Sequence, residues 1–184
     1  IFQFLLFSCV LFDLFISVSA QACTAATTIV GRTNVGASNS NPIDSTTWNA
    51  FLLSDNDYQF YCCGFISTWT IMTDNALGRE VTVQVWKDDG ATWSQVDSNV
   101  ITVTVNDGAQ TETLNAGSRI RVFNGYQIGY YHHNGDVIGT SGGQQYKRAL
   151  WVGDQATFDC DNADQQNRDH GINAIVVPSV APTL

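Results

Sequence analysis

Glu80-Val81-Thr82-Val83-Gln84-Val85-Trp86-Lys87 places apolar side chains at every second position, and this period of two constrains the fold more than any other feature. Successive side chains of an extended strand point to opposite faces. Val81, Val83 and Val85 therefore share one face, and Thr82, Gln84 and Trp86 share the other. Val100-Ile101-Thr102-Val103-Thr104-Val105 repeats the device, and Arg119-Ile120-Arg121-Val122-Phe123 sets Ile120 and Val122 inward with arginines outward. Residues 46–53, 58–62, 65–73, 93–97, 111–114, 127–132, 146–152 and 172–177 are further strand candidates, rich in the β-branched and aromatic types that pack on a pleated surface. Past residue 22 no segment has the 3.6-residue period of a helix.

The segments between them carry turn chemistry. Asp88-Asp89-Gly90, Asn106-Asp107-Gly108, Asn115-Ala116-Gly117, Asn124-Gly125, Asn134-Gly135-Asp136 and Ser141-Gly142-Gly143 supply the Gly and Asn that tight turns need. Many short strands, each with one wet face, predict an all-β fold: an antiparallel β-sandwich, jelly-roll or Ig-like, as one domain over residues 23–177. Residues 37–42 read as a polar loop, and residues 178–184 as a Pro/Ser/Thr tail or linker suited to O-glycosylation.

Residues 1–22 are different. An apolar run reaches Ile16 and ends in Ser17-Val18-Ser19-Ala20-Gln21-Ala22, the small-residue pattern of a secretory signal cut after Ala20 or Ala22. The alternative is a retained apolar segment packed inside an assembly. With Cys9 in that leader, Cys23, Cys62, Cys63 and Cys160 remain, an even number that predicts two disulfides in an oxidising, extracellular setting. Cys62 and Cys63 are neighbours whose side chains face opposite ways on a strand, so they are expected to bond different partners. Both ends of the domain would then be stapled to one central strand. The formal net charge of −9 excludes nucleic acid and anionic membranes as partners, and is compatible with calcium or neutral sugars.

Residues 63–139 resemble a recurrent secreted β-sandwich module of eukaryotic extracellular proteins. The resemblance rests on Cys63-Gly64-Phe65-Ile66-Ser67-Thr68-Trp69, on Gly78 with Val81-Thr82-Val83-Gln84-Val85-Trp86-Lys87, on residues 96–103, and on Arg119-Ile120-Arg121-Val122. These are core and turn residues, so the resemblance implies a fold and an extracellular setting rather than an activity.

Catalytic signatures are missing. There is no Gly-x-Ser-x-Gly elbow, zincin histidine motif or phosphate-cradling loop. A glycosidase needs two opposed carboxylates, yet Glu80 and Glu112 are the only glutamates and the aspartates cluster in turns. His132-His133 reads as a solvent-exposed pair beside a turn, with its imidazoles on opposite faces. No resident cofactor is expected. Calcium is the one ion suggested, by the oxygen-rich runs Asp159, Asp161, Asp164 and Asp55, Asp57, although neither fits an EF-hand. Among the aromatics, Trp69 and Trp151 read as core. Trp86, Trp93, Tyr126 and Tyr130 are candidates for contact with a ligand or a neighbouring subunit. Residues 171–177 form an apolar terminal strand that either closes its own sandwich or adds to a neighbour's sheet. The function expected is a secreted structural or adhesive module without enzymatic activity, self-associating through edge strands into a filament or matrix or joining other extracellular proteins. The alternative is a lectin-like module that binds glycans, with or without calcium.

Overall fold

The computed structural model describes residues 23, 27–33, 50–133, 135–148, 156–158 and 164–178. Twelve strands follow in order: β1 (Thr28–Gly31), β2 (Ala50–Leu52), β3 (Gly64–Thr73), β4 (Glu80–Asp88), β5 (Trp93–Thr102), β6 (Gly108–Thr113), β7 (Arg121–Val122), β8 (Gln127–His132), β9 (Thr140–Arg148), β10 (Thr157–Phe158), β11 (Asp164–His170) and β12 (Ile172–Pro178). The first sheet runs β1-β12-β3-β6, with β7 beside the start of β3; the second runs β10-β5-β4-β8-β2. Both are antiparallel and packed face to face, while β9 and β11 form a separate two-stranded ribbon. The all-β sandwich expected from the alternation is the fold observed. No helix among the described residues is long and apolar enough to cross a membrane.

The valine face of β4 is the floor of the core. Val81, Val83 and Val85 are fully buried with Ile128 and Tyr130 of β8, and Trp69 and Ile71 of β3 and Ala174 and Val176 of β12 belong to the same cluster. One irregularity makes this possible. Ile66 and Trp69 are an odd number of residues apart, so a regular strand would send them to opposite faces. Val176 pairs with Ile66 but Ile175 pairs with Thr68, leaving Ser67 as the extra residue of a β-bulge. The bulge shifts the phase by one, and both Ile66 and Trp69 become buried.

The segment 58–62 keeps its predicted alternation, with Tyr58, Phe60 and Cys62 buried and Tyr61 exposed, but it is not a strand. Its start is a 3-10 turn, Asn56–Tyr58, followed by a single bridge from Gln59 to Gln127. Ser141-Gly142-Gly143, read as a turn, lies inside β9. Arg168 of β11 pairs with Gly142 and Asn167 with Gln145, so Gly143 and Gln144 form an irregularity in the ladder rather than a reversal. The two segments 93–97 and 100–105 are largely one strand, β5, whose bulge at Val96 absorbs the break in pattern between them.

Cys23 is bonded to Cys62, so the start of the domain is tied to the residues that lead into β3. Cys63 carries a buried free thiol. The two bridges expected are thus one among the described residues, since Cys160 lies outside them. Residues 1–22, the loop at 37–42 and the tail past Pro178 also lie outside. The terminal strand β12 closes its own sandwich, seated between β1 and β3. Both of its edges are occupied, so it is unavailable for addition to a neighbour.

Candidate functional site

The residues singled out for contact separate by burial. Trp69 is core, as expected, and its indole N–H donates to Asn99 Oδ1 at 2.9 Å; Trp151 lies outside the described residues. Trp86 and Tyr130 are corrected: they are 2% and 0% exposed and present no ring face to a ligand. Tyr130 sits on the inward face of β8, stacked on Phe51 with ring centroids 4.7 Å apart. Trp86 sits on the outward face of β4, where its indole lies across Gly129 of β8. A Cβ built at Gly129 would come within 2.5 Å of Trp86 Nε1. Trp93 and Tyr126 are half-buried, Trp93 at the start of β5 and Tyr126 against the core edge with its ring 5.5 Å from that of Phe123. The four aromatics therefore do not converge on one surface.

Of the calcium candidates, Asp55 and Asp57 lie at the start of the Asn56–Tyr58 turn. Asp55 Oδ1 accepts the Asp57 N–H at 2.9 Å and so caps the 3-10 turn. Asp159 and Asp161 lie outside the described residues, and Asp164 begins β11 in register with Arg148. Among the described residues no group of three or more His, Cys, Asp or Glu is placed to hold a metal ion.

The histidines are not a solvent-exposed pair. His133 is outward, with its Nε2 2.7 Å from Thr82 Oγ1, but His132 is fully buried. His132 Nε2 accepts the Ile138 N–H at 3.2 Å, so the neutral ring carries its proton on Nδ1. Nδ1 faces the Asp136 carboxylate at 3.6 Å, longer than a hydrogen bond. Burial holds the imidazole below its ordinary pKa, outweighing the pull of Asp136 in the other direction. Beside it, the Tyr130 hydroxyl meets His170 Nδ1, and the Tyr58 hydroxyl donates to His170 O at 2.7 Å while accepting the His170 N–H at 3.0 Å. These bonds tie the 3-10 turn, β8 and the junction of β11 with β12 together. Among the described residues, the groups facing the His132 ring nitrogens are the Ile138 N–H and the Asp136 carboxylate.

Two surfaces stand uncovered by the described residues. On one flank, the edge of β5 lies next to β6. Asn99 of β5 ties that strand to β3 and to the turn after β6: its Oδ1 takes the Trp69 N–H and its Nδ2 donates to Ser118 O at 3.0 Å. A groove of about 400 Å³ lies on the other flank and one of about 300 Å³ here, the latter lined by Ser98, Asn99, Val100, Glu112 and Asn115 among others. β10 covers β5 only at Trp93 and Ser94, and past the bond from Gln95 N to Ala156 O its outer edge has no strand partner among the described residues. Val96 and Val100 are 42% and 58% exposed there.

The larger groove runs along β1, the opposite edge of the first sheet, between that strand and the 3-10 turn. Its walls include Ile29, Arg32, Asn56, Asp57 and Tyr61, with Ile29 51% and Tyr61 56% exposed. Of these, Asp57 alone was singled out from sequence. Tyr61 could have been found from the alternation of residues 58–62, which assigns it to the wet face. Ile29 and Arg32 could not, because nothing in residues 24–33 marks a strand. The chain matches no protein-family model, no curated protein and no solved structure.

Proposed function

We propose that this chain is a secreted, non-enzymatic structural or adhesive module of extracellular material, whose copies join through the flank formed by β5 and β6. The observation that carries this reading is the outer edge of β5, where residues 98–102 have no strand partner beyond β4 among the described residues. An unpaired edge offers a row of N–H and C=O groups to another strand. Residues 98–102 extend it beyond the bulge at Val96, whose local twist disfavours pairing at the other end. Charge favours a second copy as the occupant. A chain of net charge −9 repels itself over most of its surface, yet residues 93–105 contain a single charged side chain, Asp97. Two copies related by a two-fold axis bring β5 against β5 antiparallel, the geometry both sheets already use. The disulfide fits an oxidising compartment, and the resemblance of residues 63–139 to secreted sandwich modules supports the same setting.

The test is sedimentation of the wild type and of Val100→Lys over a wide concentration range, with melting curves as a control on folding. The account predicts association by the wild type and a tenfold or greater weakening in the variant at unchanged melting temperature. A wild type that stays monomeric throughout, or a variant that associates equally well, contradicts it.

A further inference from the structure

We infer that the groove between β1 and the Asn56–Tyr58 turn binds a neutral saccharide, with the exposed ring of Tyr61 as the platform on which a pyranose stacks. The ring of Tyr61 is held in place. Its hydroxyl donates to Asn56 O at 3.0 Å, so the ring is pinned although it is 56% exposed. An exposed aromatic side chain free to rotate would lose that freedom on binding; this one has already lost it. Its hydroxyl is engaged, and the ring face is what it offers.

Both walls are fixed as well. The turn is capped by Asp55 and anchored through Tyr58, whose hydroxyl makes two bonds to the His170 backbone. The residue after Tyr61 is Cys62 of the disulfide. On the other side β1 pairs along its length with β12, and Asn173 Nδ2 donates to Arg32 O at 2.7 Å. Gly31 closes that wall: φ is +98°, and a Cβ there would lie 2.5 Å from Ile172 O, so the strand passes closer to β12 than any side chain permits.

The chemistry of the lining selects the ligand. A sugar ring has an apolar face bounded by hydroxyls that act as both donors and acceptors. Tyr61 and Ile29 supply apolar surface, and the Asn56 amide, the Asp57 carboxylate and the Thr28 hydroxyl supply the polar complement. Arg32 and Asp57, the charged side chains of the lining, are opposite in sign, so the groove favours neither an anion nor a cation. The volume of about 400 Å³ falls within the range of small-ligand sites. This site lies at the edge of the first sheet opposite β6, so association at β5 and β6 leaves it open. A pair of copies would then present two grooves and cross-link glycan-bearing material.

The probes are an array of neutral hexopyranose oligosaccharides, and methyl hexopyranosides followed by saturation-transfer NMR, applied to the wild type, Tyr61→Ala and Tyr61→Phe. The inference predicts that the wild type binds members of the array and that Tyr61→Ala weakens binding at least tenfold. Tyr61→Phe keeps the ring but loses its pin, so it falls between the two. Melting temperatures stay level because the side chain is exposed. Val100→Lys binds as the wild type does, which separates this site from the association surface. No binding to any probe overturns the inference, as does binding that survives Tyr61→Ala. Should Tyr61→Ala abolish self-association with no saccharide bound by the wild type, the groove belongs to a second copy and the inference also fails.

Discussion

Replacing Gly129 by alanine adds one methyl group at the most crowded point of the second sheet. The new Cβ would lie 2.5 Å from Trp86 Nε1, 2.7 Å from Trp86 Cδ1 and 2.6 Å from Phe51 O, where ordinary contacts are 3.4–4 Å. Something must move by about 1 Å, and neither neighbour yields cheaply. Phe51 O is backbone of β2, which pairs with β8 across Leu52 and Gly129, and the indole is 2% exposed. Overpacking of this kind costs about 1–3 kcal/mol, and two rigid walls place it near ~3 kcal/mol. For a domain of roughly 150 residues that lowers Tm by about 6–12 °C. Gly117→Ala is the control, since its nearest non-neighbouring atom is Asn115 Oδ1 at 3.5 Å and its φ is not positive. Thermal melts of the three proteins, followed by near-UV circular dichroism on the tryptophans, measure the effect. Trp86→Leu combined with Gly129→Ala should cost less than the sum of the singles, because one of the two clashes is gone. A Gly129→Ala protein that melts within 2 °C of the wild type refutes the assignment of Trp86 to the surface above Gly129.

Asn99→Ala removes the acceptor of the buried Trp69 N–H and the donor to Ser118 O together. The orphaned indole costs ~2 kcal/mol, measured by urea denaturation with an unchanged m-value. Acidification loosens the sandwich through His132, whose pKa is lowered in the folded state from 6.5. The unfolded chain then binds more protons than the folded one below that pH. The contribution is fully present above pH 6.5 and is lost as pH falls, at no more than ~1.4 kcal/mol per pH unit for this one proton. Asp136, Arg79 and His133 also face the ring. Melts between pH 7.5 and 5 should therefore show a slope that His132→Gln reduces; an equal slope in both proteins would contradict the assignment.

Much of the sandwich is legible in the sequence because its strands are half-buried and alternate. Val81, Val83 and Val85 declare both an element and a face, and the Asp-Gly and Asn-Gly turns space the strands. The ribbon of β9 and β11 is not legible. Residues 164–170 read Asp-Gln-Gln-Asn-Arg-Asp-His, with no apolar period, and their partner strand opens on a Ser-Gly-Gly run that local chemistry assigns to a turn. Pairing between two strands without an apolar face is decided by the ladder itself. Bulges hide for a related reason: one extra residue at Ser67 or Val96 inverts the pattern beyond it, and only the partner strand reveals the new phase. The same alternation that found the core misplaced Trp86. It is outward as expected, but the outward face of β4 is itself buried at Thr82, Gln84 and Trp86. Aromatic and imidazole groups beside a turn suggest a surface, whereas β8 carries Tyr130 and His132 into the core.

The proposed role stands on the edge of β5. Hydrogen–deuterium exchange read residue by residue at low and at high protein concentration addresses that edge most directly. The outward-pointing amides of residues 99–102 should exchange freely when dilute and become protected as copies pair, while amides bonded to β4 stay protected at both concentrations. Exchange at those outward amides that is unchanged by concentration would contradict the account.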